Sequence, residues 1–246
     1  MKTRFDLKAR HFLHHPETKK LYNELHFAEA APRYDVATRA MSLFRDASWK
    51  KHLVRSLPEV RTPSCVDIAC GTGDVSFLLA RRYPEGRITG LDIAEPMLGI
   101  ARHRNRYGNV RFLRQDMCGM DFPAESVDIV TGSYALRNAP DLRAALGEVG
   151  RIVKTGGTAA FLDFSKPRAA CFRLPQRVLL RTWCGFWGIL LHGSREVHGY
   201  IAESLAEFPD RNDLLSLFGE NGFAPVSSKR FFLGITELLV FRRLSR

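Results

Sequence analysis

Short apolar runs alternate with amphipathic segments through the middle of this 246-residue chain. Five of the runs, each ending at a glycine turn or a polar residue, predict strands at residues 65–70, 87–93, 110–114, 127–132 and 158–164. The segments between them have helical spacing, and Pro96 suits the first turn of one of these helices. Strands that alternate with helices predict an α/β fold of the Rossmann-like kind, a parallel sheet with helices on both faces.

The segments before and after these five strands depart from this alternation. Residues 1–60 have a helical pattern with a basic bias, and residues 166–215, rich in Arg, Trp, Phe and Leu, predict helices inserted after the fifth strand. Residues 223–232 and 235–241 predict a hairpin around Gly234, which brings the mostly parallel sheet to seven strands. The predicted regions are an N-terminal helical cap (1–60), an α/β core (61–165), an inserted helical lid (166–215) and a C-terminal hairpin (216–246).

The chain is strongly basic, with 37 Lys and Arg against 26 Asp and Glu and a formal net charge of +11. This excess favours a polyanionic partner, either nucleic acid or an anionic membrane surface. Five cysteines without a C-x-x-C pair argue against a disulfide framework or a zinc site, and they favour a cytoplasmic location. The polar start, Met1 to Asp6, lacks the apolar core of a signal peptide, and no apolar stretch is long enough to span a bilayer.

Candidate ligand-binding residues follow four successive strands. Gly71 and Gly73 form a turn after the first strand, where glycine lets the backbone approach a ligand closely. Asp92 ends the second strand and is placed to accept the ribose hydroxyls of an adenosine. Asp116 ends the third strand, beside the expected adenine amino group, and Ser133 ends the fourth. Because ligands bind beyond the carboxyl ends of parallel strands, these residues predict one nucleoside site.

Two features of the glycine turn argue against a dinucleotide. The NAD fingerprint needs a third glycine for close helix packing, and Ser76 occupies that position. Asp67, inside the first strand, suits a pyrophosphate poorly. Asp74, which we expect to cap the next helix, adds a second acid near the turn. A cationic sulfonium ligand fits this acidic environment better than an anionic one.

Further motifs resemble those of one family, the UbiE/MenG C-methyltransferases of ubiquinone and menaquinone biosynthesis. The resemblance runs from about Phe27 to near the C-terminus. Its motifs are Arg33-Tyr34-Asp35, Asp67-Ile68-Ala69-Cys70-Gly71-Thr72-Gly73-Asp74, Ala135-Leu136-Arg137-Asn138, Leu162-Asp163-Phe164-Ser165-Lys166-Pro167, and Gly199-Tyr200-Ile201-Ala202-Glu203-Ser204 followed by Phe208-Pro209. The glycine loop is generic to methyltransferases, whereas the Leu-Arg-Asn and Phe-Ser-Lys-Pro elements are much more specific. The resemblance implies a class I methyltransferase fold, S-adenosylmethionine as cofactor, and no metal.

The resemblance also implies roles for individual residues. Tyr34 matches a tyrosine expected to cover the cofactor, and Arg137 and Asn138 match a pair on the substrate side that we predict to be catalytic. The predicted cofactor-binding residues are Tyr34, Gly71, Thr72, Gly73, Asp92, Ile93, Asp116, Met117 and Ser133.

The chemistry expected of such an enzyme is an in-line methyl transfer to a ring carbon of a quinol. A ring carbon beside a hydroxyl becomes nucleophilic when that hydroxyl is deprotonated, so the site needs a group that holds the phenolate. Arg137 is the candidate for this role, with Asn138 orienting a water or the substrate oxygen. Arginine is a poor proton acceptor. We therefore expect water to be the proton acceptor, with His192, His198 and Tyr200 as the candidate side chains that would assist it.

The inserted region has the character of a membrane-binding segment. Arg173, Arg177 and Arg181 share one helical face, and apolar residues including Trp183 and Phe186 lie mostly on the other. Residues 166–195 are therefore a candidate contact for anionic lipid, as an alternative to an ordinary lid helix that packs on the core. The expected location is cytoplasmic or peripheral at the inner face of the membrane, and a homodimer is left open.

One stretch departs from the family pattern and keeps the substrate open. After Tyr34-Asp35 the family usually has Asn and Phe-Gly-Ile-His, whereas this chain has Val36 to Asp46 in a different sequence. A soluble small aromatic metabolite therefore remains an alternative to a lipid quinol. Nucleic acid is not expected, because residues 133–136 lack the Asn/Asp-Pro-Pro-aromatic element of base amino methylation. A non-catalytic S-adenosylmethionine-binding or nucleotide-binding protein is the alternative from another class.

Overall fold

Seven strands form one sheet in the computed structural model, which describes residues 7–245 of the chain. The strands are β1 (Ser64–Ile68), β2 (Arg87–Asp92), β3 (Val110–Arg114), β4 (Val127–Ser133), β5 (Val153–Phe164), β6 (Phe223–Phe231) and β7 (Thr236–Arg243). Their order is β3-β2-β1-β4-β5-β7-β6. The first five are parallel, and β7 pairs antiparallel with both β5 and β6. The predicted fold, including the C-terminal hairpin, is confirmed.

Helices precede the sheet, alternate with its strands and follow β5. The α-helices are α1 (Pro16–Ala30), α2 (Tyr34–Met41), α3 (Asp46–Arg55), α4 (Asp74–Arg82), α5 (Glu95–Arg104), α6 (Leu142–Ile152), α7 (Arg173–His192), α8 (Glu196–Glu207) and α9 (Arg211–Glu220). The last three form the predicted insertion between β5 and the hairpin. The boundaries proposed for the four regions stay a prediction, and the polar segment 1–6 lies outside the described residues.

The central strands are mostly apolar because both faces of the sheet are covered. On β1, Val66 and Ile68 pack into the hydrophobic cluster on one face, and Cys65 packs into the cluster on the other. On β4, Val130 and Ile129 divide in the same way. Successive residues of a strand point to opposite faces, so a strand buried on both faces shows no polar alternation.

The start of α4 differs from the sequence prediction. Asp74 does not cap this helix, because Gly73 takes the capping position in a left-handed conformation, with φ +90°, and Asp74 becomes the first helical residue. Its carboxylate instead pairs with Lys50 and Arg104. Strand β5 also begins earlier than predicted. The pairing with β4 shifts register around Gly156, where φ is +77°, so the predicted turn is an irregularity within the strand.

Among the described residues, no helix combines the length and apolarity needed to cross a membrane. The longest, α7, carries three arginines on its first half.

Candidate active site

A cleft lies at the carboxyl edge of the sheet, where the strand order reverses between β1 and β4. This reversal is the expected ligand site of an open parallel sheet. Seven of the nine predicted cofactor-binding residues line the cleft: Tyr34, Gly71, Asp92, Ile93, Asp116, Met117 and Ser133. The parallel register brings together the six residues that follow or end β1 to β4, and α2 adds Tyr34, although the seven are spread over 100 positions of the chain.

Asp92 is held rigidly at the end of β2. Its carboxylate accepts hydrogen bonds from the backbone N–H of Gly71, at 2.8 Å, and of Ala94, at 2.9 Å. Burial raises the pKa of this carboxyl, and the amide hydrogen bonds oppose that rise. A carboxylate offers about four acceptor positions, so Asp92 can also accept two ribose hydroxyls.

Asp116 lies at the other end of the cleft and is less buried. Its carboxylate pairs with Lys20 of α1, at 3.0 Å, and accepts a hydrogen bond from the backbone N–H of Cys118, at 2.9 Å. Asn23, one turn further along α1, also lines the cleft and donates to the backbone carbonyl of Asn138. The first helix therefore forms one wall of the cleft, which the sequence pattern did not predict.

Two residues of the predicted cofactor set do not line the cleft. The Thr72 hydroxyl donates to Asp35 of α2, at 2.6 Å, and Thr72 is buried. At Gly73, a Cβ atom would come within about 3 Å of the Phe77 and Phe112 rings. Gly73 is thus required for packing and for its positive φ, and Thr72 joins the glycine loop to α2.

Ser76, which occupies the position of the third glycine of the NAD fingerprint, joins α4 to β1 through its side chain. Its hydroxyl donates to Asp67 at 2.7 Å, and Thr131 of β4 donates to the other carboxylate oxygen at 2.9 Å. Asp67 is almost completely buried, and burial raises its pKa to about 6 despite these hydrogen bonds. Asp67 does not line the cleft, so its expected direct role beside a sulfonium is replaced by a role in joining β1, β4 and α4.

An ionic network fastens the N-terminal helices to the glycine loop. Arg104 of α5 bridges Asp35 and Asp74, at 2.9 and 2.7 Å, and donates to the Thr72 carbonyl oxygen at 3.0 Å. Burial alone would raise the pKa of Asp74, but Lys50 and Arg104 outweigh burial and lower it.

The network continues through α3 to the end of β4. The Lys50 ammonium pairs with Asp74 at 3.1 Å and with Asp46 at 2.8 Å. The Tyr134 hydroxyl then donates to Asp46 at 2.9 Å. Since Tyr134 lines the cleft, the contacts run without a break from the glycine loop to the far side of the site.

A second cavity, of about 290 Å³, lies beside the cleft and is strongly apolar. Residues of α1, α2, α7 and α8 line it together with the turns before α3 and β7. Phe27, Tyr34 and Tyr134 line both the cleft and the cavity. The cleft and the cavity therefore adjoin at these three aromatic side chains.

Arg137 brings a positive charge to this apolar cavity. Its guanidinium lies over the rings of Phe164 and Tyr200, with Cζ 5.2 Å from each centroid, and also donates to Ser204. Nε is 3.6 Å from Asp163. Burial alone would lower the pKa of Arg137, but Tyr200 and Asp163 outweigh it and raise that pKa, so the guanidinium stays charged.

The predicted catalytic pair divides between the two spaces. Arg137 lines the cavity, whereas Asn138 lines the cleft and donates to the Tyr134 carbonyl oxygen at 2.8 Å. Of the three side chains considered as proton acceptors, His198 and Tyr200 line the cavity and His192 does not. His26 and Trp183 also line it. Sequence reasoning missed His26 and placed Trp183 on the apolar face of a lipid-binding helix, because a single residue on a helix carries no signal of the cavity that it faces.

Comparison with known proteins agrees with this geometry. The sequence model of the ubiE/COQ5 methyltransferase family matches residues 17–240. A demethylmenaquinone methyltransferase of Thermus thermophilus is 36% identical over 200 residues, which is 80% of this chain and 91% of that relative. A demethylmenaquinone methyltransferase of Geobacillus kaustophilus is 32% identical over 216 residues, which is 86% of this chain and 92% of that relative.

Solved structures share the fold at much lower identity. An S-adenosylmethionine-dependent methyltransferase from Mesorhizobium loti has a TM-score of 0.60 at 19% identity, covering 80% of this chain and 98% of its own. The geranyl diphosphate C-methyltransferase of Streptomyces coelicolor, solved with S-adenosyl-L-homocysteine, has a TM-score of 0.61 at 15% identity. That match covers 81% of this chain and 79% of the other.

Proposed function

This chain belongs to the ubiE/COQ5 methyltransferase family and is an S-adenosylmethionine-dependent methyltransferase, and we propose that it methylates a ring carbon of a demethylmenaquinol-type lipid quinol. One observation carries the choice of substrate. The 290 Å³ apolar cavity shares an aromatic wall with the cofactor cleft and contains the buried guanidinium of Arg137. A lipid quinol, with an apolar ring and tail and an ionisable hydroxyl beside the reacting carbon, matches this combination of surfaces.

The residues around the cavity support a mechanism based on orientation and charge. When bound, S-adenosylmethionine supplies an already activated methyl group. Arg137, which stays charged, holds the quinol oxygen as a phenolate and so makes the adjacent ring carbon nucleophilic. Phe27, Tyr34 and Tyr134 keep water away from the passage between cleft and cavity. Asn138 fixes the turn that carries Arg137 by donating to the Tyr134 carbonyl oxygen.

We also propose that the enzyme docks on anionic lipid with the mouth of the cavity facing the membrane. Leu43 and Phe232 line the cavity. Their chain neighbours extend into solvent: Phe44 is 79% exposed and Leu233 is fully exposed. All four have positive φ, which is unusual for bulky residues and costs about 1–3 kcal/mol each. Apolar side chains held outward at this cost, beside the cavity, support contact with a lipid surface.

Helix α7 extends this apolar surface. Its exposed face carries large apolar side chains that are all more than half exposed: Leu174, Val178, Leu179, Phe186, Ile189 and Leu190. The arginines predicted to form its basic face are partly neutralised, because Arg177 and Arg181 pair with Glu203 of α8 and Arg173 pairs with Asp210. They remain about half exposed and lie along the edge of the apolar face, where snorkelling cations contact lipid headgroups.

Two other functions are tested by the same assay. A soluble aromatic substrate is favoured by the altered sequence after Asp35, and nucleic acid by the net charge of +11. Transfer of labelled methyl from S-adenosylmethionine should be measured with demethylmenaquinol in detergent, with a soluble naphthol and with RNA. We expect the highest kcat/KM with the quinol that carries a prenyl tail. A higher kcat/KM with the naphthol or with RNA would contradict the proposal.

A further inference from the structure

His26 lies where α1 passes between the cofactor cleft and the substrate cavity. Asn23, one turn before it, lines the cleft, and its neighbour Phe27 lines both spaces. His26 itself lines the cavity and is almost completely buried. The centroid of its ring is 4.1 Å from that of Tyr200 and 5.0 Å from that of Phe27. The Tyr200 ring in turn lies under the Arg137 guanidinium. The imidazole is thus near the point where methyl donor and acceptor meet.

The cavity offers few groups that can accept a proton. No Asp or Glu is among the described residues that line it. Arg137 is permanently charged, and burial raises the pKa of Tyr34 and of Tyr134, which keeps both as neutral phenols. Burial raises the pKa of the Cys184 thiol to about 12, and Tyr200 lies against the Arg137 guanidinium and is hydrogen-bonded to it. The remaining titratable side chains among the described residues that line the cavity are the imidazoles of His26 and His198. Burial, with the positive Arg137 and the other imidazoles, lowers the pKa of His26, so its ring is neutral near pH 7 and able to accept a proton.

Position distinguishes the two imidazoles. His198 packs edge-on against His192, with centroids 5.0 Å apart, and His192 does not line the cavity. His26 instead packs against Phe27, which forms part of the shared wall. We infer that His26 is the catalytic base that removes the proton from the ring carbon after methyl transfer. This inference rests on the proposed function, since it presupposes an aromatic carbon acceptor.

The reaction balances with this assignment. The ring carbon of the quinol anion bonds to the methyl carbon while the methyl–sulfur bond breaks, and that electron pair stays on sulfur. The ring is now a neutral dienone that still carries its hydrogen at the methylated carbon. His26 takes this hydrogen as a proton, and the electrons of the C–H bond restore the aromatic quinol anion. The imidazolium formed then lies beside that anion and passes its proton to water.

A weak base is sufficient for this step. Loss of the proton restores aromaticity, so the dienone is a strong carbon acid and a strongly basic acceptor is unnecessary. The charge that forms on His26 is also compensated, because the methylated quinol becomes an anion in the same step. Arg137 holds that anion on its oxygen, so a negative charge is present beside both cations when the proton is transferred.

The experiment compares His26→Asn with His198→Asn on quinol that carries either hydrogen or deuterium at the reacting ring carbon. For His26→Asn we expect kcat to fall by about 100-fold or more, the usual contribution of a general base. A primary deuterium isotope effect on kcat should appear, because proton removal becomes rate-limiting, while the wild-type enzyme shows none. Affinity for S-adenosylmethionine, measured by calorimetry, should stay within about twofold and shows that the variant is folded. Added imidazole should restore part of the activity of His26→Gly.

The matched variant His198→Asn removes the other imidazole of the cavity and should raise KM for the quinol without any isotope effect. Wild-type turnover in His26→Asn, a slow variant without the isotope effect, or the same effect in His198→Asn would each overturn the assignment. If wild-type enzyme left the quinol unmethylated, the proposed function would fail and this inference with it. If wild-type enzyme methylates the quinol, the variants test His26 alone.

Discussion

The Thr72 hydroxyl donates to the Asp35 carboxylate across 2.6 Å and so joins the glycine loop to the second helix. Arg104 donates to the other Asp35 oxygen and to the Thr72 carbonyl oxygen, so Thr72, Asp35 and Arg104 form a closed cycle of hydrogen bonds. Asp35 is the residue after Tyr34, which lines both the cleft and the cavity. The ion pair of Asp35 and Arg104, next to the glycine loop, therefore positions Tyr34 and with it the wall that the cleft and the cavity share.

Removal of Arg104 should loosen this wall. We expect Arg104→Ala to lower the free energy of unfolding by about 1–3 kcal/mol, since charge-assisted hydrogen bonds are lost and two carboxylates are left without their shared cation. The Kd for S-adenosylmethionine should rise as well. Urea unfolding and calorimetry measure the two effects. The control is Arg143→Ala, which breaks a well-exposed pair with Glu220 and should change stability by less than about 1 kcal/mol and Kd not at all. Equal effects of the two variants would contradict this role.

Arg137 should matter for turnover and little for cofactor affinity. Arg137→Ala is expected to lower kcat by about 100-fold or more, the usual loss when a donor to a developing oxyanion is removed. This change also leaves Asp163 buried without its cation, at a cost of about 3–5 kcal/mol. The double variant Arg137→Gln with Asp163→Asn removes both charges and keeps the fold testable. Normal turnover in either folded variant would refute the role of Arg137, whereas calorimetry should show nearly unchanged cofactor binding.

Membrane docking predicts a strong effect of two exposed side chains. The double variant Phe44→Asp and Leu233→Asp should weaken binding to phosphatidylglycerol vesicles by more than about tenfold at low salt, because each apolar side chain contributes about 1.5–3 kcal/mol when buried. Flotation measures binding. Val60→Asp is the control, since Val60 is exposed but precedes β1 at the opposite edge of the sheet. Docking would be excluded if the wild-type protein did not float with the vesicles, or if Val60→Asp had the same effect.

His198 makes stability depend on pH in a predictable direction. Burial lowers its pKa from 6.5 to about 3 in the folded protein, so protonation favours the unfolded chain. The stabilisation is present above pH 6.5 and is lost as the pH falls towards 3. Between pH 7 and pH 5 the wild-type protein should lose about 2 kcal/mol more than His198→Gln. Urea unfolding at both pH values measures the difference, and equal losses would show that His198 is not buried in its neutral form.

Much of the fold and of the cofactor cleft was predictable from local pattern. A strand buried on both faces appears in the sequence as a short apolar run. Parallel pairing then places the residues that follow each strand at the same edge of the sheet. Asp92 and Ser133 end β2 and β4, and Asp116 follows the edge strand β3 by two residues, so their convergence followed from topology. The same reasoning failed at Asp74, where Gly73 took the capping position and left the carboxylate to pair with distant cations.

The sequence by itself determined the order of the strands and helices, the glycine turn and the family, because these depend on periodicity and on short motifs. Only the tertiary structure decided that His26 lines the substrate cavity, that Thr72 turns towards Asp35, and that Glu203 neutralises part of the basic face of α7. These contacts join residues far apart in the chain. Which side chains meet there depends on the angle and offset at which the helices pack, and the apolar pattern of a helix does not fix these.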